Sequence, residues 1–326
     1  MSSTLLIVNY HYVEDSTWPL GGIYPCSSKK FSDQIDHLSR LYSFVDLKQL
    51  RRAFLGEDSL PTSSCLLTFD DGLRSQYEVA WKILNKKGIP GAFFVNTSFY
   101  ETGDAETVHK IHWLLANQAP QDLRVTLREV LDPEEILVFD SPDLANRATQ
   151  QYRYDTDLVS GIKYFLNFVL SSERRDFIAE HCLASDVDTR AFARSWYMER
   201  AHLCEIASSG SLGIHGHRHQ PLAVLPYDQV IAQIETSRDC LEQMTGQKPF
   251  AISYPYGGPC AVSLLVRQAA KDCGMSIGIT MKREVNDHSA DPLMLSRLDT
   301  VDVSRGANPI LPDPDQQRVC TKVMPG

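Results

Sequence analysis

The sequence predicts an α/β fold in which strands and helices alternate around a covered, parallel sheet. Three observations point to it. Six short runs are rich in β-branched and aromatic residues, and most are apolar on both faces, as in a sheet covered by helices. Apolar residues at helical spacing fill the intervals between strands. Two of those intervals also end at a glycine, one of them in the helix-stop chemistry of a basic last turn followed by Gly and then Pro. Alternation of this kind makes βα units, which close either as a doubly wound sheet or as a barrel. The length of 326 residues suits two domains of ~150 residues, or one barrel of roughly 250 residues carrying an insertion.

Taken in chain order, the first strand is Leu5 to Val8. Phe31, Ile35, Leu38 and Tyr42 follow at helical steps and form one apolar stripe. Cys65 to Phe69 reads as the second strand, and the helix after Leu73 ends at Lys86-Lys87-Gly88 with Pro90 just beyond. Gly91 to Asn96 is the third strand. From about 98 to 208 the rhythm breaks. Val108, Ile111 and Leu115 form one helical stripe there, and Leu158, Ile162, Phe165 and Val169 form another, with no convincing strand. A structureless loop of that length is improbable in a compact domain, so a helical insertion is expected within a single domain spanning 1–326. Strands resume at Leu212 to Ile214, Phe250 to Tyr254 and Met275 to Thr280, with a helix over 260–273 stopped by Gly274. The segment Arg305 to Gly326 holds four prolines and reads as a surface tail.

Composition narrows the function classes. The 41 acidic and 32 basic residues leave a formal charge of -9, against the basic face of a nucleic-acid protein or a polybasic membrane binder. No apolar stretch reaches the ~18 residues of a membrane span. The start, Met1 to Asn9, has no basic n-region and too short an apolar run for a signal peptide, so a cytoplasmic location is expected. The 8 cysteines include no Cys-x-x-Cys pair, which fits reduced core residues better than a disulfide framework or a thiolate zinc site. A Gly-rich phosphate loop follows none of the predicted strands, which disfavours a nucleotide-binding doubly wound protein.

Three segments carry chemistry. Thr68-Phe69-Asp70-Asp71-Gly72 puts adjacent carboxylates at the C-terminal end of a strand, where α/β folds place their active sites. Such a pair can divide its roles between metal ligand and base, although an Asp-Asp-Gly alone also serves as a helix cap. Gly213-Ile-His215-Gly-His217-Arg-His219 places three histidines within five residues directly after a strand, and His215 and His219 can share one ion. One Asp with two His suits zinc, iron(II), cobalt or manganese. Ser253-Tyr254-Pro255-Tyr256-Gly257-Gly258 is a sharp turn that can leave the Tyr256 amide pointing outward as a donor.

In this order the three segments resemble the polysaccharide deacetylase family, the carbohydrate esterases that include chitin, peptidoglycan and nodulation-factor deacetylases. Thr68 to Gly72, His215-x-x-x-His219 and Tyr254-Pro255-Tyr256-Gly257 match its first three motifs, and Asn9 to Val13 looks like the opening of the surface-polysaccharide branch. The resemblance covers roughly 4–100 and 209–300 and implies a distorted (β/α)7 barrel. It also implies one divalent ion, zinc by preference, held by Asp71, His215 and His219. Asp70 would then be the base towards a water activated by that ion, and the Tyr256 N–H would hold the oxyanion. The family's usual acid, a His in a Leu-x-His motif, is missing: the stretch reads Leu293-Met-Leu-Ser-Arg297. The family's arginine before the third-motif proline is replaced by Ser253. Arg297 is therefore expected to pair with Asp70, and His11 to act as acid, with His217 and His288 as alternatives. The expected substrate is an amino sugar, either nucleotide-linked, lipid-linked or within an oligosaccharide. Arg74, Arg218 and Arg297 leave room for a phosphorylated one, and Val108 to Trp113 offers contacts from the insertion. A deformylase or other amide hydrolase on the same site, and an inactive carbohydrate-binding relative, are the competing expectations.

Overall fold

The computed structural model describes residues 4–17, 20, 22–183, 187–287 and 289–311. Among the described residues eight strands occur: β1 (Thr4–Tyr10), β2 (Ser43–Phe44), β3 (Ser63–Phe69), β4 (Ala92–Val95), β5 (Leu212–Ile214), β6 (Ala251–Ser253), β7 (Ile277–Ile279) and β8 (Leu298–Asp299). All pair in parallel, in the order β7-β6-β5-β4-β3-β1-β8, while β2 lies beside the start of β3. Leu295 closes the ring. It bridges Ile279 in parallel, donating to Gly278 O at 2.8 Å and accepting from Thr280 N–H at 2.8 Å. The segment 295–299 thus fills the gap between β7 and β1 and makes a seventh stave. The result is a distorted (β/α)7 barrel.

The two-residue side-chain period of a strand sorts the core into an inside and an outside. Leu6, Val8, Leu67, Phe69 and Phe93 pack outward against helix residues such as Phe31, Ile35, Leu84, Ile234 and Val266. Leu5, Ile7, Leu66, Phe94, Ile277, Ile279 and Leu295 fill the interior, joined by Val45, Leu47 and Leu50. Along the same inward-facing rows the residues turn polar towards the strands' C-terminal ends: Asn9 follows Ile7, and Thr68 and Asp70 follow Leu66. That change from Leu and Ile to Asn, Thr and Asp places the chemistry at one end of the barrel.

Between β4 and β5 the described residues hold helices and no strand. Pro120, Pro133 and Pro142 each open a helix at its first turn, where the missing N–H costs nothing. Ile111, Leu115, Leu123, Leu127, Leu144, Ile162, Phe165 and Ile178 gather into a core of their own. The last helix of the stretch, Arg200–Ser209, instead packs Leu203 and Ile206 into the barrel wall. One expected core position fails: Val169 is 41% exposed. Phe165–Val169 is wound as a π-helix, with Leu170 N–H reaching back five residues to Phe165 O, and the wider turn carries Val169 off the buried face. Of the expected tail, 305–311 is largely exposed and 312–326 lies outside the described residues.

Candidate active site

The strand β3 delivers Asp70 to the barrel mouth, and the chain then turns sharply. Asp71 adopts a left-handed φ of 82° and Gly72 one of 68°. A side chain at position 72 would also meet Val95 Cγ1 at 2.8 Å, so glycine is needed for space as well as conformation. Asp71, His219 (φ 43°) and Tyr256 (φ 61°) account for three of the four left-handed non-glycine residues among those described. Such backbone strain collects where the surrounding structure enforces it, commonly at functional sites.

Asp70 is buried and held by a bidentate guanidinium. Arg297 Nη1 donates to Oδ1 at 3.1 Å and Nη2 donates to Oδ2. Ser253 Oγ adds a hydrogen bond to Oδ2 at 3.1 Å, and Arg297 is itself fixed by Asn9 Oδ1 at 3.0 Å and Thr68 Oγ1 at 3.3 Å. Burial alone would raise the Asp70 carboxyl, but Arg297 and then His215 hold it below the usual carboxylate value. Asp70 is therefore ionised at neutral pH.

Asp71 faces imidazoles. Its Oδ1 lies 3.5 Å from His215 Nε2 and 3.3 Å from His219 Nε2, and has no hydrogen-bond partner among the described residues. The three ligand atoms fall within 4.8 Å of one another, all in buried residues. Ligands on a tetrahedral ion with bonds of about 2.1 Å sit roughly 3.4 Å apart; the two Asp71–His separations match that, and the cluster as a whole, at up to 4.8 Å, has the donor types a divalent cation needs at a somewhat wider spacing. His215 Nδ1 donates to Ser253 O at 2.7 Å, which turns the Nε2 lone pair into the cluster. Burial pushes the His215 imidazolium down to about 4, so the ring is neutral and free to ligate. For Asp71, burial acts upward, yet the His109 and His219 imidazoles bring its carboxyl well below the ordinary value.

A cavity of about 300 Å³ opens over these groups, bounded by His11, Asp70, Asp71, His215, His219 and Tyr256. The Tyr256 N–H donates to no protein group among the described residues. The insertion roofs the cavity with Gln150 to Asp155, and Val108 and His112 reach it from the helix Thr107–Asn117. Tyr154, Arg283 and Asp302 interlock the roof with the barrel end, Arg283 Nε donating to Asp302 Oδ2 at 3.0 Å. His217 faces a neighbouring cavity, where it meets Thr97 Oγ1 at 2.9 Å and Glu101 at 3.2 Å. His288 lies outside the described residues. Arg74 is bound to Glu199 and Arg218 to Asp176, so neither borders the site cavity, whereas Arg153 lies exposed at its rim. His109 belongs to no motif, yet it stands fully buried against Asp71. A lone histidine in an apolar helix has the look of a core residue, and only its placement after folding sets it apart.

Residues 57–129 and 182–278, more than half of the chain, match the polysaccharide deacetylase family profile, and the chain belongs to that family. The family is one of carbohydrate deacetylases, hydrolases acting on amide bonds and generally dependent on a divalent metal. Among solved structures, the chain is similar to the Streptococcus pyogenes deacetylase PplD in complex with acetate, at 16% identity over all of both chains and a TM-score of 0.59. It is similar to IcaB from Ammonifex degensii at 18% identity, covering 98% of this chain and 96% of that one, TM-score 0.56. A de-N-acetylase from Aggregatibacter actinomycetemcomitans matches at 16% identity, 91% and 94% coverage and a TM-score of 0.57. No curated protein matches the chain. The family profile leaves 130–181 unmatched, the part of the insertion that includes the cavity roof.

Proposed function

We propose that the chain is a metal-dependent N-deacetylase that removes the acetyl group from a short amino-sugar precursor, in a nucleotide-linked, lipid-linked or oligosaccharide form. The observation that carries this reading is the division of the two adjacent carboxylates. Asp70 is committed to Arg297, while Asp71 meets His215 and His219 at the spacing of ligands on one ion. Asp71, His215 and His219 would hold the divalent ion, zinc by preference. When bound, such an ion supplies Lewis acidity towards the amide carbonyl and lowers the pKa of water.

The chain's own groups do the rest. Asp70, kept ionised by Arg297 and steered by Ser253, removes a proton from the attacking water. The Tyr256 N–H is free to bond the oxygen that becomes negative as the carbonyl carbon turns tetrahedral. Expelling the sugar amine requires a proton on nitrogen, and His11, which borders the same cavity, would deliver it. The products are acetate and a free amino sugar.

Size and lining favour a short substrate. A cavity of about 300 Å³ is at the small end for ligand sites. Tyr24, Tyr152 and Tyr154 line the cavity and supply apolar surface for a sugar. The seven described cysteines are all free, which suits a reducing compartment such as the cytoplasm. The Asn9 to Val13 opening supports a role in surface-polysaccharide synthesis.

The test is proton NMR for free acetate and formate after incubating zinc-loaded protein with N-acetylated nucleotide sugars, short chitooligosaccharides and polymer. Asp70→Asn should lose at least about 10²-fold in turnover while retaining its zinc. Formate in place of acetate would change the acyl group. Zinc lost from Asp70→Asn would reverse the roles given to the two carboxylates.

A further inference from the structure

The helix Thr107–Asn117 carries His109 to the back of the site, outside every motif. The ring has no exposed surface and is caged by Trp196 at 5.9 Å, His112 at 6.0 Å and Tyr197 at 5.4 Å between centroids. Its Nε2 stands 3.4 Å from Asp71 Oδ2 and has no hydrogen-bond partner among the described residues. Its Nδ1 is paired with the Tyr197 hydroxyl.

Proton accounting assigns the roles. The Tyr197 oxygen accepts from the Glu106 N–H at 3.1 Å, because an amide N–H can only donate. The one hydroxyl proton then has His109 Nδ1 as its acceptor, and no other is within reach among the described residues. With Nδ1 accepting, the proton of a neutral imidazole sits on Nε2, the ring atom that faces Asp71 Oδ2. At 3.4 Å this is a long contact, of the kind that shortens when a site is loaded. Asp71 Oδ1 meanwhile faces His215 and His219.

The geometry points to His109 as a positioning residue, held by Tyr197, that steers Asp71 by one oxygen so that the other is presented to the metal. The inference rests on the metal site proposed above. It also gives the insertion a part in the centre that the barrel motifs do not show: a line from the Glu106 backbone through Tyr197 and His109 to a metal ligand.

The experiment is titration of metal-free protein with cobalt(II) against a competing chelator, following both affinity and the visible d–d spectrum. His109→Leu should weaken cobalt binding about 10- to 100-fold, the usual cost of removing a group that orients a ligand, and should change the spectrum. His109→Gln, which restores an N–H near the same place, should recover most of the affinity. Tyr197→Phe should shift affinity in the same direction by a smaller factor. Wild-type affinity and spectrum in both His109→Leu and Tyr197→Phe would overturn the inference. So would a loss in His109→Leu that Gln fails to repair while Tyr197→Phe stays normal, since His109 would then be a ligand and not a steering donor. A wild-type protein that takes up no cobalt would overturn the metal site itself, an outcome separate from either.

Discussion

At the scale of single residues, the pairing of Asp70 with Arg297 has the sharpest consequence. Both side chains are 1% exposed, so neither charge has water to fall back on. Removing one member leaves the other buried and unpaired, which costs about 3–5 kcal/mol. Arg297→Met should therefore lower the denaturation midpoint strongly, and Asp70→Asn in the same chain should restore part of the loss. A double variant no more stable than Arg297→Met would mean the pair is not what Arg297 stabilises. Arg297→Lys is no gentle alternative, because a single ammonium cannot reproduce the two-pronged contact. Much of this site was legible beforehand. The two carboxylates, the histidine spacing and the Tyr256 turn lie in contiguous runs, where short-range sequence reports chemistry directly. His109 was not, since its meaning depends on which atom of Asp71 it meets after folding.

At the scale of elements, the legible strands were those long or apolar enough to stand out. The six predicted runs overlap β1, β3, β4, β5, β6 and β7. The two that escaped, β2 and β8, are two residues each and carry no pattern that a period of two could reveal. Their identity is tertiary: Phe44 pairs Cys65, and Leu298 pairs Val8. The turn after β6 shows how tightly an element can specify its residue. Gly257 has φ 58°, and a Cβ there would approach the Met281 backbone nitrogen at 2.6 Å. Gly257→Ala should displace the Tyr256 N–H and reduce kcat by about 10²-fold or more, the cost of losing one oxyanion donor. Wild-type kcat in that variant would remove Tyr256 from the proposed chemistry.

At the scale of the whole molecule, stability should carry a pH signature from Glu106. Its side chain is buried, accepts from Ser98 Oγ at 2.6 Å, and is pushed by burial up to about 6 from an ordinary 4.5. The folded protein thus binds this proton more tightly than the unfolded chain. The stabilisation is complete below pH 4.5 and is lost as pH rises through about 6. The difference corresponds to about 2 kcal/mol. Glu106→Gln should accordingly raise the midpoint of chemical denaturation at pH 8 and leave it nearly unchanged at pH 4. An equal gain at both would place the effect in packing.

The closing stave has a further meaning for the order in which this protein comes into being. Arg297 lies 227 residues downstream of Asp70, on the segment that seals the ring between β7 and β1. A nascent chain emerging from the ribosome therefore presents Asp70, Asp71, His215 and His219 well before the guanidinium that pairs with Asp70 is synthesised. Until that last stave docks, Asp70 lacks its partner. The buried pair thus completes late in translation, and under the proposed function a truncated product that still looks like most of a barrel would be inactive.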